Sequence, residues 1–258
     1  MLTSFRGPQA ALFSAILAAT AALPLASASA EDADEAAETS SVTVTGNVGL
    51  VTDYRFRGVS LSAGDPAIQG GATVTHESGF YVGTWASSLN VGGSTYGSIE
   101  LDLFAGWSGK VSEGLGIDVG LLRYNYPNNA PGVKAEYMEP YATLSSTLGP
   151  VEAKLGVTYA WKQDSLGGRD NLYLFTKLAA GLPGTPITLN AGLGYTDGAL
   201  APPFQAGAAD TTGLDWSLGA SATVLGNVSL GVTYVGVEGP PIKGFTDDAI
   251  VGSVTFSF

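Results

Sequence analysis

From Val42 onward the chain alternates with a period of two, and no other feature constrains its fold as strongly. Val42, Val44, Val48, Leu50, Tyr54 and Phe56 alternate with Thr43, Thr45, Asn47, Asp53 and Arg55. Val151, Ala153, Leu155, Val157, Tyr159 and Trp161 alternate with Glu152, Lys154, Gly156, Thr158 and Ala160. Segments 187–195 and 214–222 repeat the pattern. Successive strand side chains point to opposite faces, so each segment has one apolar face and one small or polar face. The whole chain read this way predicts twelve strands. They lie near 42–57, 66–76, 80–88, 97–108, 115–126, 136–148, 151–162, 171–182, 186–196, 213–224, 228–237 and 248–258. Most match the ~9–11 residues a tilted strand needs to cross a bilayer.

The predicted links support one topology. Alternate links are short, as at Gly149-Pro150 and Leu225–Asn227, and the others are longer and rich in Gly, Pro, Asn and Asp. An all-β, up-and-down antiparallel transmembrane β-barrel has this arrangement, and an even strand number puts both chain ends on the short-turn side. A soluble sandwich or barrel turns its apolar faces into a core. Here aromatic residues recur near predicted strand ends, among them Tyr54, Phe80, Trp107, Trp161, Tyr195, Trp216, Tyr234 and Phe258, as interfacial girdles do. The uncharged run Trp216–Val237 alternates and carries Gly226-Asn227, so it reads as a hairpin and not a helical span.

Composition removes several functions. Cys is absent, which excludes disulfides, thiolate zinc sites and cysteine nucleophiles. A formal charge of -12 argues against a nucleic-acid partner. Residues 1–30 combine Arg6, an apolar stretch from Ala10 to Ala22 and Ala28-Ser29-Ala30 before Glu31. This is the pattern of a signal peptide cleaved after Ala30. Residues 31–41 hold five acids and no base and read as a disordered acidic leader into a barrel over 42–258.

Charges on the lipid face near mid-bilayer cost roughly 2–4 kcal/mol, so alternation assigns most strand charges to the lumen. The expected pore-lining residues are Asp53, Arg55, Arg57, Glu100, Asp102, Lys154, Lys177 and Asp215, with Asp118 and Glu152. Arg123 joins them if a bulge at Leu121-Leu122 shifts the phase. Arg55 and Arg57, on the first strand, are expected to form the positive side of a mixed-charge constriction. Glu100, Asp102 and Asp215, with Asp247 and Asp248, supply its carboxylates. His76 is the lone histidine and lies beside Ser78 in a tight turn, which leaves no persuasive catalytic set and no histidine metal site. Acidic loop residues such as Asp164, Asp170 and Asp210 lack EF-hand spacing. No catalytic residue, cofactor or metal is assigned. The final strand ends on an apolar stripe whose Phe256 and Phe258 resemble the assembly signal of bacterial outer-membrane barrels.

Tyr54-x-Phe56-Arg57-Gly58-x-Ser60, followed by Pro66, Gln69-Gly70 and Ser78-Gly79-Phe80-Tyr81, resembles the TorF family of porins, the Gcw_chp proteins of proteobacteria. The resemblance extends over most of the mature chain and is weaker after residue 160. It implies a Gram-negative outer-membrane location and no catalytic residues; the solute of that family is not established. The leading reading is a porin-like channel for passive transport of small solutes. It would be embedded in outer-membrane lipid and lipopolysaccharide and inserted by the barrel-assembly machinery. One rival is a closed structural or adhesive surface barrel, and another is an outer-membrane lipid hydrolase.

Overall fold

The structure, a computed structural model, describes residues 41–91 and 96–258. Twelve strands close into one antiparallel barrel. In chain order they are β1 (Val42–Val51), β4 (Ala67–His76), β5 (Phe80–Ser88), β6 (Ile99–Ser112), β7 (Leu115–Asn125) and β8 (Tyr137–Leu148). There follow β9 (Val151–Gln163), β10 (Arg169–Gly181), β11 (Ile187–Gly198), β12 (Thr212–Val224), β13 (Val228–Val237) and β14 (Ala249–Ser257). Two short strands, β2 (Arg55–Phe56) and β3 (Val59–Ser60), pair only with each other. A one-turn helix, Pro202–Gln205, sits in the link before β12. The expected export segment 1–30 and residues 31–40 of the acidic leader lie outside the described residues.

Each barrel strand pairs with its sequence neighbours, and β1 closes the ring by pairing with both β4 and β14. At the seam the Gly46 N–H donates to the Phe258 carbonyl at 2.8 Å, and the Phe258 N–H returns a bond to Gly46 at 2.9 Å. The Phe258 ring lies over Gly46, where a Cβ would come within 2.7 Å of it. Closure leaves no unpaired edge, the condition a strand structure must meet in hydrocarbon.

Alternation decides the two faces. Outward positions carry exposed Val48, Leu50, Leu155, Leu193, Leu218 and Val232. Aromatic side chains mark both rims. At the short-turn end the Trp107 indole N–H donates to the Ser78 carbonyl at 2.9 Å. At the long-loop end the Tyr159 hydroxyl donates to Asp170 at 3.1 Å and that of Tyr234 to Asp248 at 2.5 Å. Inward positions divide by height. Toward the short turns, Thr43, Thr45, Ser145, Thr147 and Glu152 are exposed, so the lumen there is open to water. Toward the long loops, Trp85, Glu100, Phe104, Tyr124, Glu139 and Thr158 are buried.

Two expectations need correction. The first barrel strand ends at Val51 and not near residue 57, so Asp53, Arg55 and Arg57 are not on the barrel wall, and Tyr54 is buried in the lumen and belongs to no interfacial girdle. The chain keeps its tie to β14 at Thr52, whose N–H donates to the Gly252 carbonyl at 2.9 Å, and then turns into the lumen. Arg123 also differs. The β6–β7 register runs without a shift from Leu101↔Asn125 to Lys110↔Gly116, so no bulge forms at Leu121-Leu122. Leu122 and Tyr124 are therefore buried inside, and Arg123 projects outward. It meets Glu136 at 2.5 Å with both side chains about half exposed, at 43% and 52%.

Candidate functional site

The inturned segment is a β-hairpin in the lumen. Arg55 pairs with Ser60 and Phe56 with Val59, leaving Arg57 and Gly58 as its two-residue turn. Both have positive φ, 48° and 79°, the geometry of a type I′ turn. Gly58 suits its position: a Cβ there would sit 2.2 Å from a Val237 methyl. Arg57 is an unusual occupant of left-handed space. Its side chain explains the choice, because it reaches the opposite wall of the barrel.

That contact is a buried ion pair. An Arg57 terminal nitrogen lies 2.5 Å from a Glu139 carboxylate oxygen on β8, and both side chains are almost wholly shielded. The same nitrogen donates to Thr158 on β9 at 3.1 Å. The guanidinium also lies over the rings of Phe56 and Tyr173, 4.8 and 4.4 Å from their centroids. Burial alone lowers the pKa of Arg57. The Glu139 carboxylate and then the surrounding tyrosine hydroxyls outweigh it, so the net shift is upward and the charge persists.

The base of the hairpin is built on Asp53. Its carboxylate accepts from Ser60 at 2.6 Å, Ser62 at 3.1 Å and Arg55 at 2.5 Å. Arg55 also donates to the Asp247 carbonyl at 2.6 Å. Backbone groups are satisfied inside the lumen as well: Leu61 N–H bonds to Tyr54, and Ser60 N–H bonds to Phe245, each at 2.8 Å. Tyr54 packs on Trp85 with ring centroids 5.4 Å apart. Burial pushes its phenol pKa up, and Glu100 and Asp102 add to the shift, so a neutral phenol faces those carboxylates.

The expected residues thus fall into three groups. Asp53, Arg55 and Arg57 come together in the hairpin. Glu100 and Asp102 are buried beside Tyr54, and their carboxyl oxygens have no hydrogen-bond partner of full geometry among the described residues, although the Asp102 carbonyl accepts from Thr84 at 2.9 Å. Asp118, Lys154, Lys177 and Asp215 occupy the wall, with Asp118 accepting from Tyr81 at 2.5 Å and Asp215 from Tyr173 at 3.2 Å. Asp247 meets Arg55, whereas Asp248 turns to Tyr234. Glu139, the partner of Arg57, is missing from the sequence-derived set. Tyr137 and Tyr141 share its face and are bulkier than Met138 and Pro140 opposite, so the usual sign of a lumen face is reversed.

His76 accepts a bond from the Ser78 N–H at 3.1 Å and meets the Ser78 hydroxyl at 2.7 Å, a local turn with no carboxylate orienting the ring among the described residues. Asp164 pairs with Lys134, and Asp210 accepts from Thr212. No group of three or more candidate ligands able to hold a metal occurs among the described residues.

These features define a closed twelve-stranded antiparallel β-barrel, apolar outside, whose lumen mixes aromatic with polar and charged side chains and holds an inturned hairpin. A family model described as a bacterial protein of unknown function, Gcw_chp, matches residues 35–256, and the chain belongs to that family. Among solved structures it is similar to the NanC porin at 11% identity and TM-score 0.56, over 84% of this chain and 99% of that one. A structure from work on in-meso crystallization of membrane proteins aligns at 8% identity and TM-score 0.53, over 83% of each chain. An outer-membrane channel from Pseudomonas putida F1 aligns more loosely, at 10% identity and TM-score 0.46, over 89% of this chain and 99% of that one. At such identities the likeness is one of fold. No curated protein matches the chain.

Proposed function

We propose that this chain is exported, cleaved after Ala30 and inserted in a bacterial outer membrane, where it passes small solutes passively through a lumen narrowed by the 53–62 hairpin. The observation that carries this reading is the division of surface. An exposed apolar band with aromatic rims encloses a lumen in which charged and polar groups are buried among aromatic side chains toward the long loops and are open to water toward the short turns. The porin fold of the NanC relative supports it. The filled outer half of the lumen favours a second reading, a closed structural barrel. Purified wild-type protein in a planar bilayer is expected to give discrete conductance steps. Absence of current at every voltage and salt concentration would establish the closed barrel instead.

Location and assembly are tested together. Phe258 completes the β1–β14 seam, and the barrel-assembly machinery is expected to read this terminal strand. Replacing Phe258 with Asp puts a charge on the outer face and removes the ring over Gly46. Heat-modifiable barrel in the outer-membrane fraction should fall sharply, while wild-type protein from that fraction begins at Glu31. Undiminished barrel from the variant would exclude Phe258 as the signal.

A further inference from the structure

Most charges in the lumen already have partners. Arg55 and Arg57 are held by carboxylates, and Asp118 and Asp215 each accept from a tyrosine hydroxyl. Lys154 on β9 and Lys177 on β10 differ. They are direct cross-strand partners and point into the lumen. Neither makes an ion pair or hydrogen bond among the described residues. Like charges placed opposite one another in a sheet repel, so this pairing is unfavourable unless something negative lies between or beside them. The Phe175 ring, 5.8 Å from the Lys177 ammonium, is a weak substitute.

Their height matters. They stand where the filled half of the lumen gives way to the open half, with buried Thr158 and Tyr173 above and exposed Glu152 below. Lys177 lines a cavity of about 100 Å³ beneath the hairpin, shared with Arg57, Asp215 and Ser217. Gly192 is the other cross-strand neighbour of Lys177 and brings no side chain to cover it. The facing acids, Asp118 and Glu152 toward Lys154 and Asp215 toward Lys177, act on the pair only from beyond contact and offset part of its charge. Asp118 and Asp215 lie beyond ion-pair distance and are committed to tyrosines, and Glu152 is solvated at the open end, where ions screen it.

We propose that Lys154 and Lys177 form an oxyanion-binding step in the lumen, taking small solutes that carry a carboxylate or phosphate group. Two ammonium groups side by side offer six N–H donors to such a group without a fixed geometry, which suits transient binding. The physiological meaning rests on the channel reading, but binding itself is measured without current. Full-length mature barrel in detergent at low ionic strength is titrated with inorganic phosphate, followed by phosphorus NMR line broadening.

Wild-type protein is expected to bind. Lys154→Met with Lys177→Met should weaken binding by about tenfold or more, while Lys154→Arg with Lys177→Arg keeps it within about threefold, because charge and reach persist. Should the methionine double variant yield no heat-modifiable barrel, each single methionine variant is compared with the arginine pair. A wild-type barrel that binds no phosphate overturns the site, as does a methionine variant that binds as wild type does. Phosphate binding by a barrel that carries no current keeps the site and defeats the channel reading alone.

Discussion

Replacing Arg57 with alanine is expected to undock the hairpin while the barrel stays closed. The substitution leaves Glu139 buried and without its cation, and breaking a buried pair this way costs roughly 3–5 kcal/mol. Among the described residues Tyr124 supplies the one other hydrogen bond to that carboxylate, at 3.1 Å, which is a poor replacement for a guanidinium. The barrel strands are hydrogen-bonded to one another and lose nothing. The chain has no native cysteine, so one placed at the buried Val59 reports directly on docking. It should resist a soluble thiol reagent in the otherwise wild-type barrel and react readily once Arg57→Ala is added. Adding Glu139→Gln should restore part of the protection, since the isolated charge is then gone. Equal labelling with and without Arg57→Ala would mean that the latch lies elsewhere, with Asp53 and its serines as the next place to look.

The barrel was legible in the sequence because one physical rule governs nearly all of it. Strands with lipid on one face and water or packed polar groups on the other must alternate, and 151–161 shows this without interruption. The hairpin was hidden by the same rule. Thr52-Asp53-Tyr54-Arg55-Phe56 continues the alternation of β1, so nothing in the pattern marks the place where the chain leaves the wall. The turn signal was equally muted. Asn-Gly announces a type I′ turn, but Arg57-Gly58 does not, since arginine enters left-handed space here only because Glu139 and Thr158 hold its side chain. Arg123 departs from alternation's lumen rule for the opposite reason: near the rim a charge can stay on the outer face beside Glu136, and no bulge turns it inward. The facing of Lys154 and Lys177 follows from alternation, but their adjacency depends on the β9–β10 register, which no single segment encodes.

Removing the hairpin outright should have the larger effect on permeation. Replacing residues 53–62 with a short Gly-Ser link leaves every strand of the twelve-membered ring intact, because β2 and β3 pair only with each other. The variant is therefore expected to insert as a heat-modifiable barrel. A twelve-stranded barrel lies between the side-chain-filled eight and the open sixteen, so clearing its outer half should raise single-channel conductance roughly severalfold. Selectivity should change in a definite direction. The deletion takes out Arg55 and Arg57 with one acid, Asp53, and exposes Glu100, Asp102 and Glu139 to the pore water. The outer mouth becomes net negative, and the reversal potential in a potassium chloride gradient should move toward cation preference. The shift should be greatest at low salt, where the Debye length exceeds the pore radius. Lys154 and Lys177 are untouched by the deletion, so phosphate binding should survive it, and this separates the constriction from the anion step. A deletion variant that folds yet keeps wild-type conductance and selectivity would show that ions never pass the hairpin, and that the outer half of the lumen is closed by the wall itself.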